Sequence, residues 1–178
     1  MINSPKPLIA AVNGPAIGIP PQFINLGIGM TSLFINDLVY SVPHATFHTP
    51  FMRWGLAAEG CSSVNFPMVL GYPKASGLLI AGEVMTAQEL YIAGMITRII
   101  PADKFMDGVI EVSERMAGYS QDAIRRTREL VRGNLREELH RANLRECNAL
   151  RERAANNDAM PNILAFIESQ KQKKRSKL

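Results

Sequence analysis

The sequence is short of cysteine, of aromatic residues and of any long apolar run. Its two cysteines, Cys61 and Cys147, are too few for a disulfide framework. Neither sits in a C-x-x-C pair of the kind that holds zinc, so both are read as packing residues. His44 and His48 have no partner at triad or ligand spacing, and no metal site is expected. No stretch reaches the roughly 18 uninterrupted apolar residues of a membrane helix, so no membrane association is expected. Residues 1–6 are too short and polar to open a signal peptide. Trp54 is the single tryptophan, and it and the four tyrosines are not interleaved with bases. That pattern argues against a nucleic-acid surface, which needs aromatic platforms within a basic face.

What remains is an ordinary globular composition: 178 residues, 47% hydrophobic and 20% charged. The net charge of +4 belongs to the C-terminus. Five of the 20 basic residues lie in the last eight positions, and the other 15 nearly match the 16 acids.

The texture changes near Pro101. Before it come short apolar runs broken by Gly and Pro. Residues 8–12 (LIAAV), ended by Asn13-Gly14-Pro15, read as a buried strand of the parallel type. Residues 37–42 and 45–49 read as two more strands, split by Pro43-His44. Residues 61–70 read as a helix bent at Pro67, and 73–81 as a helix closed by Gly82. Thr86 with Glu89 forms a capping-box pattern ahead of a helix over 87–93, which Gly94 stops. Residues 96–100 (ITRII) are strand-rich. After Pro101 the period is helical, predicting helices over 103–117, 120–132, 135–155 and 161–170. Leu135, Leu139, Ala142, Leu144, Cys147 and Leu150 form an apolar stripe that must be buried against something.

The turn at 13–18 (NGPAIG) lacks the Gly-Lys-Ser/Thr of a phosphate loop and the glycine spacing of a dinucleotide fold. Its backbone N–H groups suit an anion or a developing oxyanion. Spacing alone favours a plain tight turn.

Motifs in order carry a resemblance. Residues 6–18 (KPLIAAVNGPAIG), 37–51 (DLVYSVPHATFHTPF), 55–63 (GLAAEGCSS) and 75–96 (ASGLLIAGEVMTAQELYIAGMI) resemble the crotonase, or enoyl-CoA hydratase/isomerase, superfamily. With the closing Ser176-Lys177-Leu178 they are similar to its peroxisomal Δ3,Δ2-enoyl-CoA isomerase branch. The resemblance implies an α/β fold: a spiral of β-β-α units over 1–101, a helical oligomerisation region over 102–170, and a basic targeting tail over 171–178. It implies an acyl-CoA substrate, no metal and no cofactor beyond the CoA thioester, and a homo-oligomer built on trimers. It implies a shift of the double bond of 3-enoyl-CoA to 2-enoyl-CoA, in peroxisomal fatty-acid β-oxidation or in a fungal secondary-metabolite pathway. Hydration by the same family and a non-catalytic truncated subunit are the alternatives.

By the same resemblance, the N–H of Ile19 is one oxyanion donor. Hydratases of the family use two carboxylates, whose positions here fall near Gln22 and at Phe51, neither of them acidic. The isomerase branch uses one carboxylate, which falls at Glu59. Read without the motif, Glu59 is more readily an ordinary surface acid or a helix N-terminal charge, since most glutamates are exposed. Phe51, Trp54 and Leu56 are expected to line or support the acyl pocket. Ser176, Lys177 and Leu178 match a peroxisomal address read by an import receptor, which places the chain in the peroxisomal matrix. Two departures from the family pattern are expected to matter. The strands that precede the segment matching Lys6 in family members have no counterpart, and residues 21–36 are longer than the family pattern and poor in helix formers.

Overall fold

The computed structural model describes residues 1–17 and 29–155, together with 160–162, 164, 165 and 168. Among the described residues the strands and α-helices follow in the order β1 (Ile9–Val12), β2 (Ala16–Ile17), β3 (Leu38–Ser41), β4 (Thr46–His48), α1 (Ser62–Leu70), α2 (Tyr72–Ser76), β5 (Val84–Thr86), α3 (Ala87–Ile92), β6 (Arg98–Ile99), α4 (Phe105–Ala117) and α5 (Gln121–Ala155). The strands form two sheets. One has the order β1-β3-β6 and is parallel throughout, with Ile9 opposite Leu38 and Tyr40 opposite Arg98. The other has the order β2-β4-β5, with β2 and β4 parallel and β5 antiparallel to β4. Each pass of the chain lays one strand in each sheet, β1 then β2 and β3 then β4. That is a spiral of the expected α/β kind.

The core is continuous across both sheets. Phe47, Phe66, Phe105, Met30, Leu78 and Leu90 are fully buried within it. Each such side chain is worth about 1.5–3 kcal/mol of burial. A second cluster joins Cys61 at the start of α1 to Leu139 and Ala142 of α5, with Ile2, Val64 and Leu135 packed around them. Part of the apolar stripe of α5 is therefore covered within the chain, while Leu144 stays exposed.

Most local expectations hold. Pro67 sits inside α1 without ending it. The helix expected over 73–81 is α2 followed by a π-helical turn, Gly77–Ala81. Thr86 and Glu89 form a complete capping box, with Thr86 Oγ1 accepting from the Glu89 N–H. The strand expected over 96–100 shortens to Arg98–Ile99.

One expectation is corrected. Residues 120–132 and 135–155 are not two helices; α5 runs through Gly133 and Asn134 for 35 residues. An interior glycine costs a helix only about 1 kcal/mol. Here Asn134 donates to the Leu130 carbonyl, and Arg136 pairs with Glu129 across the glycine at 2.6 Å. Arg132, just before it, donates to the carbonyls of Phe34 and Asn36. Asp37 locks the same joint. It accepts from the Leu8 N–H at 2.7 Å and from Arg128 Nε at 2.9 Å, with Arg132 Nε at 3.4 Å.

Candidate active site

After β4 the chain makes a 3-10 turn, Met52–Trp54, and leaves it through Gly55 in the left-handed conformation. It then runs to Glu59 and enters α1 through two consecutive left-handed residues, Gly60 at φ 67° and Cys61 at φ 63°. Cys61 is the single non-glycine with positive φ among the described residues. A left-handed residue that bears a Cβ costs about 1–2 kcal/mol and persists only where its surroundings enforce it. Gly60 has no such latitude either. A Cβ there would lie 2.6 Å from Thr31 Oγ1.

That close approach brings Thr31 to the carboxylate. Thr31 Oγ1 donates to Glu59 Oε1 at 2.7 Å. Thr31 is fully buried, and Glu59 is half-buried. Among the described residues, Glu59 Oε2 accepts no hydrogen bond and no cation pairs with the group. Burial raises the Glu59 carboxyl above its ordinary pKa; the Thr31 hydrogen bond opposes this, and the charge of Glu146 adds to it. A desolvated carboxyl with one oxygen oriented and one left open is suited to taking up and returning a proton.

The surroundings are unusually polar for an interior. Six polar or charged side chains are buried among the described residues, and four of them, Thr31, Ser62, Asn65 and Glu146, lie in or against the Glu59–α1 segment. Glu146 comes from α5 and accepts from the N–H of Cys61 at 2.7 Å and of Ser63 at 2.9 Å. Cys61 donates through Sγ to the Leu139 carbonyl, and burial, with Glu146 next, pushes its thiol up to about 11. Cys61 is thus a packing residue, as the sequence suggests. His48 is half-buried in β4, and burial lowers its pKa.

Of the expected pocket residues, Phe51 is part of the main core, Trp54 is buried and Leu56 is half-buried. The Leu56 N–H donates to the Phe51 carbonyl, so the loop that carries them ends close to Glu59 in sequence and is internally bonded. A groove of about 510 Å³ opens elsewhere, between Pro7, Leu38, Met116 and Ile124, and Phe51, Trp54, Leu56 and Glu59 are not among its lining residues. Ile19, Gln22 and Ser176-Lys177-Leu178 lie outside the described residues. The sequence singles out Glu59 as the candidate base and does not point to Thr31 or Glu146, which the structure places beside it. A Ser/Thr and a buried acid carry no local signal when they lie 28 and 85 residues from the groups they hold.

A family model described as "Enoyl-CoA hydratase/isomerase" matches residues 1–176. The chain is 37% identical over 166 residues to "Enoyl-CoA delta isomerase 2" of Rattus norvegicus, 93% of this chain and 40% of that protein. It is 37% identical over 155 residues to "Enoyl-CoA delta isomerase 3, peroxisomal" of Mus musculus, 85% of this chain and 45% of that one. Among solved structures it resembles an enoyl-CoA hydratase/isomerase from Pseudoalteromonas atlantica T6c, with a TM-score of 0.85 and 30% identity. That match covers 94% of this chain and 64% of the other. The chain therefore spans less than half the length of these curated relatives.

Proposed function

The chain belongs to the enoyl-CoA hydratase/isomerase family, and from that premise we propose that it moves the double bond of a 3-enoyl-CoA to the 2-position, with Glu59 as its one acid–base group. The observation that carries this reading is the Glu59 carboxylate: half-buried, bonded on one oxygen to Thr31, and without a cation among the described residues. The thioester acidifies the C2 proton of the substrate. Glu59 removes that proton, the electron pair spreads over C2, C4 and the thioester oxygen, and the same carboxyl returns the proton at C4. One group serves both transfers, and its raised pKa brings the carboxyl closer to the pH at which it must also act as an acid. The N–H of Ile19 is proposed as a donor to the thioester oxygen, where preorganised dipoles stabilise the developing charge. Phe51, Trp54 and Leu56 are proposed to support the acyl chain.

Isomerase chemistry is favoured over hydration by residue type. A hydratase of the family needs a second carboxylate to handle water, and the position implied for it holds Phe51, buried in the core. The reading extends to a peroxisomal location, supported by Ser176-Lys177-Leu178 and by similarity to a relative named as peroxisomal. It extends also to a trimer-based homo-oligomer. The substrate is an unsaturated fatty acyl-CoA or an unsaturated secondary-metabolite acyl-CoA. Incubation of the chain with a 3-enoyl-CoA and separation of the products tests the activity. Formation of 2-enoyl-CoA ahead of any 3-hydroxyacyl-CoA supports the reading; direct formation of the hydroxy product overturns it.

A further inference from the structure

We propose that Glu146 is a positioning residue for Glu59: held in the interior by α5, it fixes the left-handed Gly60–Cys61 turn and through it the direction of the Glu59 carboxylate. The inference rests on the reading of Glu59 as the base.

The geometry is specific. Glu146 is 5% exposed and enters from a helix 85 residues away in sequence from the turn it holds. Both of its carboxylate oxygens are engaged, Oε2 by the Cys61 N–H at 2.7 Å and Oε1 by the Ser63 N–H at 2.9 Å and Ser63 Oγ at 2.5 Å. These N–H groups flank the first turn of α1, where intrahelical acceptors are missing. An acceptor there would satisfy capping alone. What exceeds capping is where the bonds fall: on Cys61, whose φ of 63° is unfavourable for a side-chain-bearing residue, and two residues on. The Ser62 N–H, between them, donates to the carbonyl of Glu59 itself at 3.2 Å. A shift of the Gly60–Cys61 turn would thus move both ends of Glu59, its carbonyl and its bond to Thr31.

Electrostatics point the same way. Among the described residues, the titratable group whose charge bears on Glu59 is Glu146 on α5, and Glu59 in turn bears on the Cys61 thiol at the entry to α1. The segment facing them from Thr31–Ile35 contributes a hydroxyl and no charge. Glu146 therefore acts on Glu59 as a like charge as well as through the turn.

The test is carboxyl NMR of the chain carrying 13C-labelled glutamate, with Glu59→Gln used to assign the Glu59 resonance. Glu146→Gln keeps the size of the side chain and removes its charge. The titration of Glu59 is expected to move to lower pH, because a like charge is gone and the loosened turn admits water. With 3-enoyl-CoA as substrate, kcat is expected to fall by about 10²-fold, the cost typical of a misplaced reacting group, with KM nearly unchanged. Should Glu146→Gln fail to fold, Ser63→Ala removes one of the three bonds and is expected to shift both readouts in the same directions by less. A melting temperature that drops while the Glu59 titration and kcat stay at wild-type values overturns the proposal. Absence of activity in the wild-type chain counts against the isomerase reading alone, because the titration is read without substrate.

Discussion

Replacing Glu59 by Gln keeps the shape of the side chain and its place beside Thr31, and removes the proton that the reaction exchanges. Isomerisation is expected to fall by about 10²–10⁴-fold while the fold is retained, as assays beside circular dichroism would show. The same variant has a second signature. Burial raises the folded pKa of Glu59 above its unfolded value, so its proton favours the folded state at low pH, and that stability is lost as pH rises through the folded value. Glu59→Gln removes this dependence. Wild type is expected to lose stability relative to the variant between the ordinary glutamate range and neutral pH, read from urea midpoints across that range. Thr31→Val removes the bond that lowers the Glu59 pKa. The acid limb of the wild-type pH–rate profile is expected to move to higher pH in that variant; an unmoved limb would separate Thr31 from the base. Glu59 is legible in the sequence because the local string Ala58-Glu59-Gly60-Cys61 carries it. Thr31 is not legible, since it lies in the segment that departs most from the family pattern, and only the fold brings its hydroxyl to 2.7 Å from the carboxylate.

At the scale of elements, the turn ahead of α1 and the length of α5 decide what holds the site. Gly60→Ala places a Cβ 2.6 Å from Thr31 Oγ1 at a φ of 67°. It is expected to destabilise the chain by at least about 1–2 kcal/mol and to separate Thr31 from Glu59, measured as a lowered unfolding midpoint together with lost activity. Gly133→Ala has the opposite sign. Its Cβ would meet the end of the exposed Glu129 side chain at 3.0 Å, a contact that side chain can leave. The gain in helix propensity, about 1 kcal/mol less any loosening of the Arg136–Glu129 pair, is expected to raise the midpoint. Residues 8–12, 37–42 and 45–49 are legible as strands because short apolar runs bounded by Gly, Pro and Asn have few other uses. The Thr86–Glu89 box is legible because capping is local. The continuity of α5 is not, because it depends on Arg132 reaching Phe34 and Asn36, 98 and 96 residues away, which no window of sequence contains.

At the scale of the molecule, α5 connects the sheet to the site. Near its start, Arg128 and Arg132 hold Asp37, which also binds the Leu8 N–H at the entry to β1. Farther along, Glu146 holds the turn beside Glu59. Arg128 is 9% and Asp37 18% exposed, so Asp37→Ala strands two arginines in a poorly solvated joint. A loss of about 3 kcal/mol is expected, read from chemical denaturation. For the proposed location, a fluorescent fusion is expected to be punctate with Ser176-Lys177-Leu178 free at its C-terminus and diffuse when the three residues are removed. The central claim is that Glu59 alone carries the proton, and one measurement tests it most directly: incorporation of deuterium at C2 of a 3-enoyl-CoA in D2O, followed by NMR, for wild type beside Glu59→Gln. The account predicts exchange with the wild-type chain and loss of that exchange in the variant. Exchange by Glu59→Gln at the wild-type rate would contradict it.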